Sequence, residues 1–437
     1  MNMNETYIAA LEIGSFKITG AVGVYSADED NLKILAVEQE ESGDSVRYGI
    51  INNPEEVAAK VNRIIDRLNA SPAVAPRHVA ALFVGLAGRS LHSVASDVKL
   101  IFPEETEITG DMLKRLRQDA SAVALDSNQE ILATVARSYQ IDGMETASPK
   151  GAMGKTIAAV YDIIVGRSEL KRNIQRALSE RTPVEIKGMI ITPIAAADVV
   201  LSDEEKRLGC MLVDFGAETT SVSIYSKGNL CYYATLPLGG RNITRDLTTL
   251  PLLEEKAEEI KCESGRAVAL ETSSKLNIDG VKYAEVSNLV VARAEEIVAN
   301  VIEQISYAGL KEKDLPAGVI CIGGGAQLLG ILELLEYQSG LNARMGHLSP
   351  SKIQALEPRA KRHAYIQTAA ILYAGALTGK GDCLELPTVA EQEEPEVETA
   401  PQKPEKNQEG KMKKLFRSFS SGFSNFFASP DDDSELE

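Results

Sequence analysis

Residues 210–225, CMLVDFGAETTSVSIY, carry an apolar run into Asp214, turn through Gly216 and resume as an alternating run that closes on Tyr225. Residues 211–213 read as a buried strand, 215–219 as a tight turn and 221–225 as a strand of period two. An acid before such a turn suits phosphate and a metal ion. Glycine lets backbone N–H groups approach an anion, Thr219 and Thr220 add hydroxyls, and the Asp214 carboxylate can reach Mg2+ directly or through water. The pattern occurs a second time at 7–23, YIAALEIGSFKITGAVG, with Glu12 as the acid and Gly14-Ser15 as the turn. Hairpins of this kind are common singly, so neither marks a site alone. Two of them, roughly 200 residues apart, predict related halves facing each other across a phosphate.

A chain of 437 residues has room for two or more domains, and 44% hydrophobic with 25% charged residues is an ordinary globular composition. No stretch approaches about 18 uninterrupted apolar residues, so no transmembrane helix is expected, and the polar N-terminus does not read as a signal peptide. Cys210, Cys231, Cys262, Cys321 and Cys383 lack metal-ligand spacing and fit a reducing cytoplasm. A net charge of −17 argues against nucleic acid as a partner.

Between the hairpins, 32–39 reads as a strand, 54–68 as a helix opened by proline, and 79–86 as a buried strand. Residues 85–166 change character, with strands at 91–101, 130–141 and 156–165 and a helix at 109–124, enough for a small inserted α+β unit. A helix at 169–181 and a strand at 184–191 follow. The small-residue run IAAADVVL, 194–201, predicts a helix that packs closely between domains. After the second hairpin, Gly239-Gly240 turn into a helix near Asn242, an arrangement that can hold an anion and that turn chemistry alone also explains. Residues 253–264 read as a helix with Glu258 and Lys261 three apart, which by itself describes a charged surface. Residues 286–308 read as a long amphipathic helix. Residues 318–332, GVICIGGGAQLLGIL, run from strand through Gly323, Gly324 and Gly325 into a helix, either a backbone cradle for adenine or phosphate or simply a tight connection. A last core helix is expected at 363–377.

Residues 379–410 are Pro, Glu, Gln and Lys with few large apolar groups, the composition of a disordered linker. Beyond it, 411–428 is KMKKLFRSFSSGFSNFFA. Met412, Leu415, Phe416, Phe419, Phe423, Phe426 and Phe427 share one helical face, and Lys411, Lys413, Lys414 and Arg417 crowd its start. An aromatic stripe is usually core, but one that follows a tether has no neighbour to bury it. An interfacial membrane helix is expected, with a partner-binding peptide as the alternative.

Six motifs together, LEIGSFKITG, CMLVDFGAETTSVSIY, LGGRNITRDL, KAEEIKCESG, VICIGGGAQLLG and the terminal helix, resemble the FtsA family of bacterial cell division within the actin, Hsp70 and sugar-kinase superfamily. The resemblance implies an α/β, actin-like two-domain ATPase fold with an inserted α+β subdomain, followed by a disordered linker and a C-terminal amphipathic helix. It assigns 1–84 and 167–205 to a first lobe (1A), with 363–378 returning to it, and 85–166 to the insertion (1C). The second lobe (2A) takes 206–250 and 317–362, subdomain 2B takes 251–316, the linker 379–410 and the helix 411–428. It places Gly14, Ser15 and Lys17 on one side of the ATP phosphates and Asp214, Gly216, Thr219 and Thr220 on the other. It implies Mg2+ held by Glu12 and Asp214 through water. Glu258 and Lys261 reach the ribose and adenine, and Gly240, Gly323, Gly324 and Gly325 complete the pocket.

The family role implied is a peripheral protein on the cytoplasmic face of the cell membrane at the division site. There it binds ATP, self-assembles, tethers FtsZ filaments through its terminal helix and meets other division proteins. The alternatives on the same fold are a pilus-assembly adaptor of the PilM type and an ATPase or sugar kinase. The chain departs from the family pattern at Glu12, usually Asp, at Ala217-Glu218, usually Gly-Gly, at Ser221 and at Thr192. Glu218 is expected to set a negative charge beside the triphosphate, and Thr192 removes a candidate for polarising water, so hydrolysis is expected to be weak or absent.

Overall fold

The computed structural model describes residues 5–269, 277–278, 280–357 and 363–387. The first hairpin pairs β1 (Glu5–Ile13) with β2 (Lys17–Ser26) in a register that sets Glu12 opposite Thr19. β3 (Asn31–Glu41) extends it, and a short ribbon of β4 (Val46–Arg47) and β5 (Ile50–Ile51) follows. α1 (Pro54–Asn69) begins where Asn53 accepts the Glu56 N–H at 3.2 Å, and it buries Val57, Val61, Ile64, Ile65 and Leu68 on one face. β6 (His78–Val79) and β7 (Ala81–Leu86) come next. The inserted region contains β8 (His92–Glu107), α2 (Gly110–Ala120), β9 (Gln129–Ile141), β10 (Met144–Thr146) and β11 (Met153–Arg167).

The chain continues through α3 (Glu169–Leu178), β12 (Glu185–Ile191), α4 (Thr192–Val200) and α5 (Asp203–Leu208). The second hairpin is β13 (Cys210–Phe215) with β14 (Thr220–Ser226), joined by β15 (Asn229–Leu236). α6 (Gly240–Leu247), α7 (Glu254–Ser264), β16 (Asn277–Ile278), β17 (Val281–Lys282) and α8 (Tyr283–Tyr307) precede β18 (Val319–Ile322). The last elements are α9 (Ile331–Ser339), β19 (Ala343–Met345), β20 (Ile353–Ala355), α10 (Ile366–Leu377) and β21 (Leu384–Glu385).

The first sheet runs β12-β7-β1-β2-β3-β20 and the second β10-β9-β11-β8-β15-β14-β13-β18-β19. α4 packs against α10, and Ala196, Ala197, Ala370 and Ile371 are fully buried there. Their core also takes in Leu212, Ile320 and Ile322 of the second sheet, so small side chains let two sheets share one helical layer. A second core lies among α6, α7, α8 and the far face of that sheet, and a third inside the inserted region.

Four features differ from the sequence expectations. The glycines at 323–325 do not run directly into a helix. A single 3-10 turn, Gly325–Gln327, comes first, and Gly330 at φ 82° resets the direction before α9. α5 was not anticipated, although Ser202 and Glu205 form a capping box at its start, with the Glu205 N–H donating to Ser202 Oγ at 3.2 Å. β20 pairs with β3, so 353–355 lie in the first sheet rather than with 317–362 of the second lobe. The inserted strands adjoin the second sheet through one pairing, Ala234 with His92.

The segment read as a linker also begins later than 379. Cys383 and Leu384 are buried, β21 pairs with β6, and the Cys383 N–H donates to the Tyr7 carbonyl at 2.7 Å. The apolar pair in GDCLEL is short but finds a strand edge with free backbone groups. The remainder of that segment and the whole of 411–428, with every residue expected to bind membrane, lie outside the described residues. Relative to a chain ended after Pro387, one ended after Lys380 should be less stable by about 3 kcal/mol, from one buried leucine and its backbone bonds. Chemical denaturation of the two proteins measures the difference, and equal midpoints would refute it.

Candidate functional site

The two acid–glycine hairpins face one another across a cavity of about 590 Å³. Of the residues expected there, Glu12, Gly14, Ser15, Lys17, Asp214, Gly216, Thr219, Gly240, Glu258, Lys261, Gly323, Gly324 and Gly325 line it. Thr220 does not. It opens β14 opposite Phe215, is fully buried, and donates its hydroxyl to the Leu238 carbonyl at 2.8 Å. Strand alternation decides this: Thr219 and Ser221 face the cavity, and the residue between them faces the other way.

Each hairpin turn is closed by its own backbone. The Gly14 N–H donates to the Lys17 carbonyl at 3.0 Å, and the Gly216 N–H donates to the Thr219 carbonyl at 2.9 Å. Gly323 has no substitute. Its φ is 89°, and a Cβ there would lie 2.4 Å from both Asp214 Oδ1 and the Phe215 carbonyl oxygen. The second lobe's turn is coupled to α6, whose Gly240 N–H donates to the Gly216 carbonyl at 3.0 Å.

Both acids are tied to α10 by adjacent residues. Gln367 Nε2 donates to Asp214 Oδ1 at 2.9 Å, and Thr368 Oγ1 donates to Glu12 Oε2 at 3.1 Å. Burial pushes the Glu12 carboxyl up to about 7. Lys17 and the Thr368 hydroxyl oppose that shift, and Asp214 adds to it. Burial also raises Asp214, against the Gln367 bond. Lys17 donates to the Ala364 carbonyl at 2.7 Å and sits 4.1 Å from the centre of the Tyr365 ring. Its pKa is lowered by burial, with Glu12 opposing. Ser15 Oγ accepts the Gly49 N–H at 2.9 Å.

At the far end Glu258 and Lys261 pair at 2.7 Å, and Lys261 Nζ also reaches Thr244 Oγ1 at 3.0 Å. Burial pushes Glu258 up, but Lys261 and Thr244 outweigh it and hold the carboxyl below its usual value. The i, i+3 pair therefore faces the cavity rather than open solvent. Ile243, Ala294, Ile297, Leu328 and Ile331 give this end an apolar wall suited to a flat ring.

The sequence reading missed Gln367 and Thr368, whose signal was a pair of polar residues in an otherwise apolar core helix. It placed Glu218 as a negative side chain beside the triphosphate. The carboxylate instead meets Arg47, Arg241 and Arg245 and accepts the Tyr48 N–H at 2.6 Å. Thr192 lines the cavity, and among the described residues nothing hydrogen-bonds its buried Oγ1.

Because Glu12 holds its proton up to about 7 in the fold against an ordinary 4.5, the folded state binds more protons between those values. Its contribution to stability is complete below pH 4.5, is lost as pH rises, and is gone above about 7. Unliganded protein should lose about 2 to 3 kcal/mol relative to Glu12→Gln between pH 5 and pH 8. Paired thermal melts across that range read the difference, and a pH-independent gap would count against a buried, protonating Glu12.

A model of the family described as cell division protein FtsA matches residues 211–368, and one described as the SHS2 domain inserted in FTSA matches 88–165. Cell division protein FtsA of Porphyromonas gingivalis is 30% identical over 364 residues, covering 81% of this chain and 74% of that protein. The FtsA proteins of Neisseria meningitidis and Bacillus subtilis are each 28% identical, over 389 and 372 residues, covering 86% and 82% of this chain and 91% and 82% of theirs. Among solved structures, a PilM–PilN type IV pilus biogenesis complex superposes with a TM-score of 0.60 at 14% identity, over 85% of this chain and 98% of that one. MreB5 of Spiroplasma citri bound to ADP gives 0.50 at 12% identity, over 86% and 97%. These two likenesses establish the actin-like fold. The relatives and the family models establish the rest: this chain belongs to the FtsA family of cell-division proteins.

Proposed function

We propose that the chain binds ATP in the cavity between its lobes, self-assembles at the cytoplasmic face of the cell membrane, and tethers FtsZ filaments there at the division site. The observation that carries the nucleotide reading is the pair of acid–glycine hairpins facing one cavity, with an apolar end beside Glu258 and Lys261. Gly14 and Ser15 meet the phosphates from one side and Gly216 and Thr219 from the other, while Gly323 to Gly325 let the nucleotide lie against backbone. Lys17 lies on the first hairpin's side. MreB5, of the same fold, was solved with ADP.

The donor set suits Mg2+. Two carboxylates from separate sheets face the cavity, and Asp214 adds to the upward shift of Glu12. A divalent cation would neutralise phosphate charge, and Glu12 and Asp214 would hold it, directly or through water. Thr192 offers a hydroxyl but no base for activating water, which supports slow or absent hydrolysis.

The subdomain boundaries assigned from the family resemblance belong to this proposal, amended at 353–355 and 379–387 as the strands require. So do the membrane contact through the aromatic face and basic start of 411–428, the filament, and contacts with other division proteins. One amphipathic helix binds marginally, and many in a filament bind by avidity.

Gly324 gives a test that leaves the fold alone. Its φ and ψ are −66° and −39°, open to any residue, and a Cβ there meets nothing within 4 Å. Gly324→Glu should keep the parent melting temperature and weaken Mg2+-ATP binding by roughly 100-fold, since it sets a like charge against phosphate. Calorimetric titration measures the affinity, and ATP recovered intact from the parent complex would agree with slow hydrolysis. Unchanged affinity would move the nucleotide elsewhere. Deleting residues 411–437 should leave that affinity intact and abolish co-sedimentation with anionic vesicles; a deleted protein that still pelleted would have another anchor.

A further inference from the structure

Glu218 lines the cavity, but the groups that hold its carboxylate come from outside the lining and from both lobes. Oε1 accepts from Arg47 Nε at 2.7 Å and from Arg245 at 3.2 Å, with an Arg241 nitrogen at 3.5 Å. Oε2 accepts the Tyr48 N–H at 2.6 Å. Arg241 and Arg245 lie on α6 and so belong to the same lobe as Glu218. Arg47 and Tyr48 belong to the β4–β5 ribbon, which is fixed to the first lobe. There Gly49 donates to Ser15, the Arg89 N–H donates to the Tyr48 carbonyl at 3.1 Å, and Asn173 donates to the Ile51 carbonyl at 3.0 Å. Tyr48 Oη also meets Arg245 at 3.5 Å, a second contact between the same two elements.

The Glu218 side chain is 1% exposed. A carboxylate so buried persists only when charged donors saturate it, and two of its four donors are in the opposite lobe. Asp44 beside Arg47 at 3.3 Å and Glu254 near Arg241 at 3.8 Å balance the remaining guanidinium charge. Separating the lobes would therefore strand Glu218 beside α6 with its Oε2 bond and its closest pair both lost.

We propose that Glu218 is a closure clasp that draws the ribbon of the first lobe onto the phosphate-side turn of the second, so that the closed form persists with no phosphate bridging the hairpins. The anion that joins the two walls is supplied by the chain itself. Ligand entry and release then require the Glu218–Arg47 pair to part. The clasp stands whether or not ATP is the ligand, because its test uses protein with no nucleotide.

The experiment is an interlobe distance measured by pulsed electron spin resonance on the full chain. Labels go at Glu55→Cys on α1 and Glu255→Cys on α7, both exposed positions, in a Cys262→Ser background that removes the exposed thiol. The parent should give one narrow short distribution. Glu218→Gln should shift most of it to separations several ångströms longer, and Arg47→Gln should do the same. Arg47→Gln is the discriminating variant, because it leaves Glu218 paired with Arg241 and Arg245 and removes the charged half of the link across the cleft, along with the pair to the exposed Asp44. It also stands alone if Glu218→Gln fails to fold. A distribution unchanged in Arg47→Gln would overturn the clasp and reduce Glu218 to a brace within its own lobe.

Discussion

Two successive residues of one helix, Gln367 and Thr368, bond the carboxylates of two different hairpins. Buried acids on separate sheets repel each other and require donors that neither sheet supplies. α10 meets that requirement because it lies between the sheets, and it can lie there because α4, its partner, meets it with small side chains such as Ala196 and Ala197. The shared layer, the facing hairpins and the cavity between them all follow from this placement. Without it, Glu12 and Asp214 would be two buried carboxyl groups without these partners, on two separate sheets.

The hairpins themselves were legible because each is a local pattern, an acid followed by glycine between apolar strands. The strand after each glycine turn was legible as well, but its facing was not. Reading Thr219 and Thr220 as one unit overlooked that a strand reverses direction at every residue, and the hydroxyl that faces the cavity after Thr219 is that of Ser221. By spacing alone Glu258 and Lys261 read as a surface pair, because spacing shows which residues are neighbours and not which face is covered; only the family resemblance put them in the pocket. The helix that received Gln367 and Thr368 was expected, yet their targets lie more than 150 residues away. No window of sequence joins them.

Glu218 shows the same limit from the other side. In isolation a carboxylate beside a phosphate turn is unfavourable, and that judgement is correct for the isolated turn. The donors that reverse it come from 47–48 and from 241–245. A local rule fails here because the compensation is tertiary, and where it fails the residue acquires a role that glycine, with no side chain, cannot have.

The exit of the chain has a mechanical meaning. β21 is two residues long, pairs among the described residues with β6 alone, and is backed by the bond from Cys383 to Tyr7 on β1. Tension arriving along the chain from beyond Pro387 enters the fold at this ribbon, next to the first strand of the first sheet. Two pairs at an edge yield by peeling, one at a time, whereas the central strands yield only together. The ribbon is thus a fuse: under a pull it gives up a few residues before the sheet that carries Glu12 feels any force.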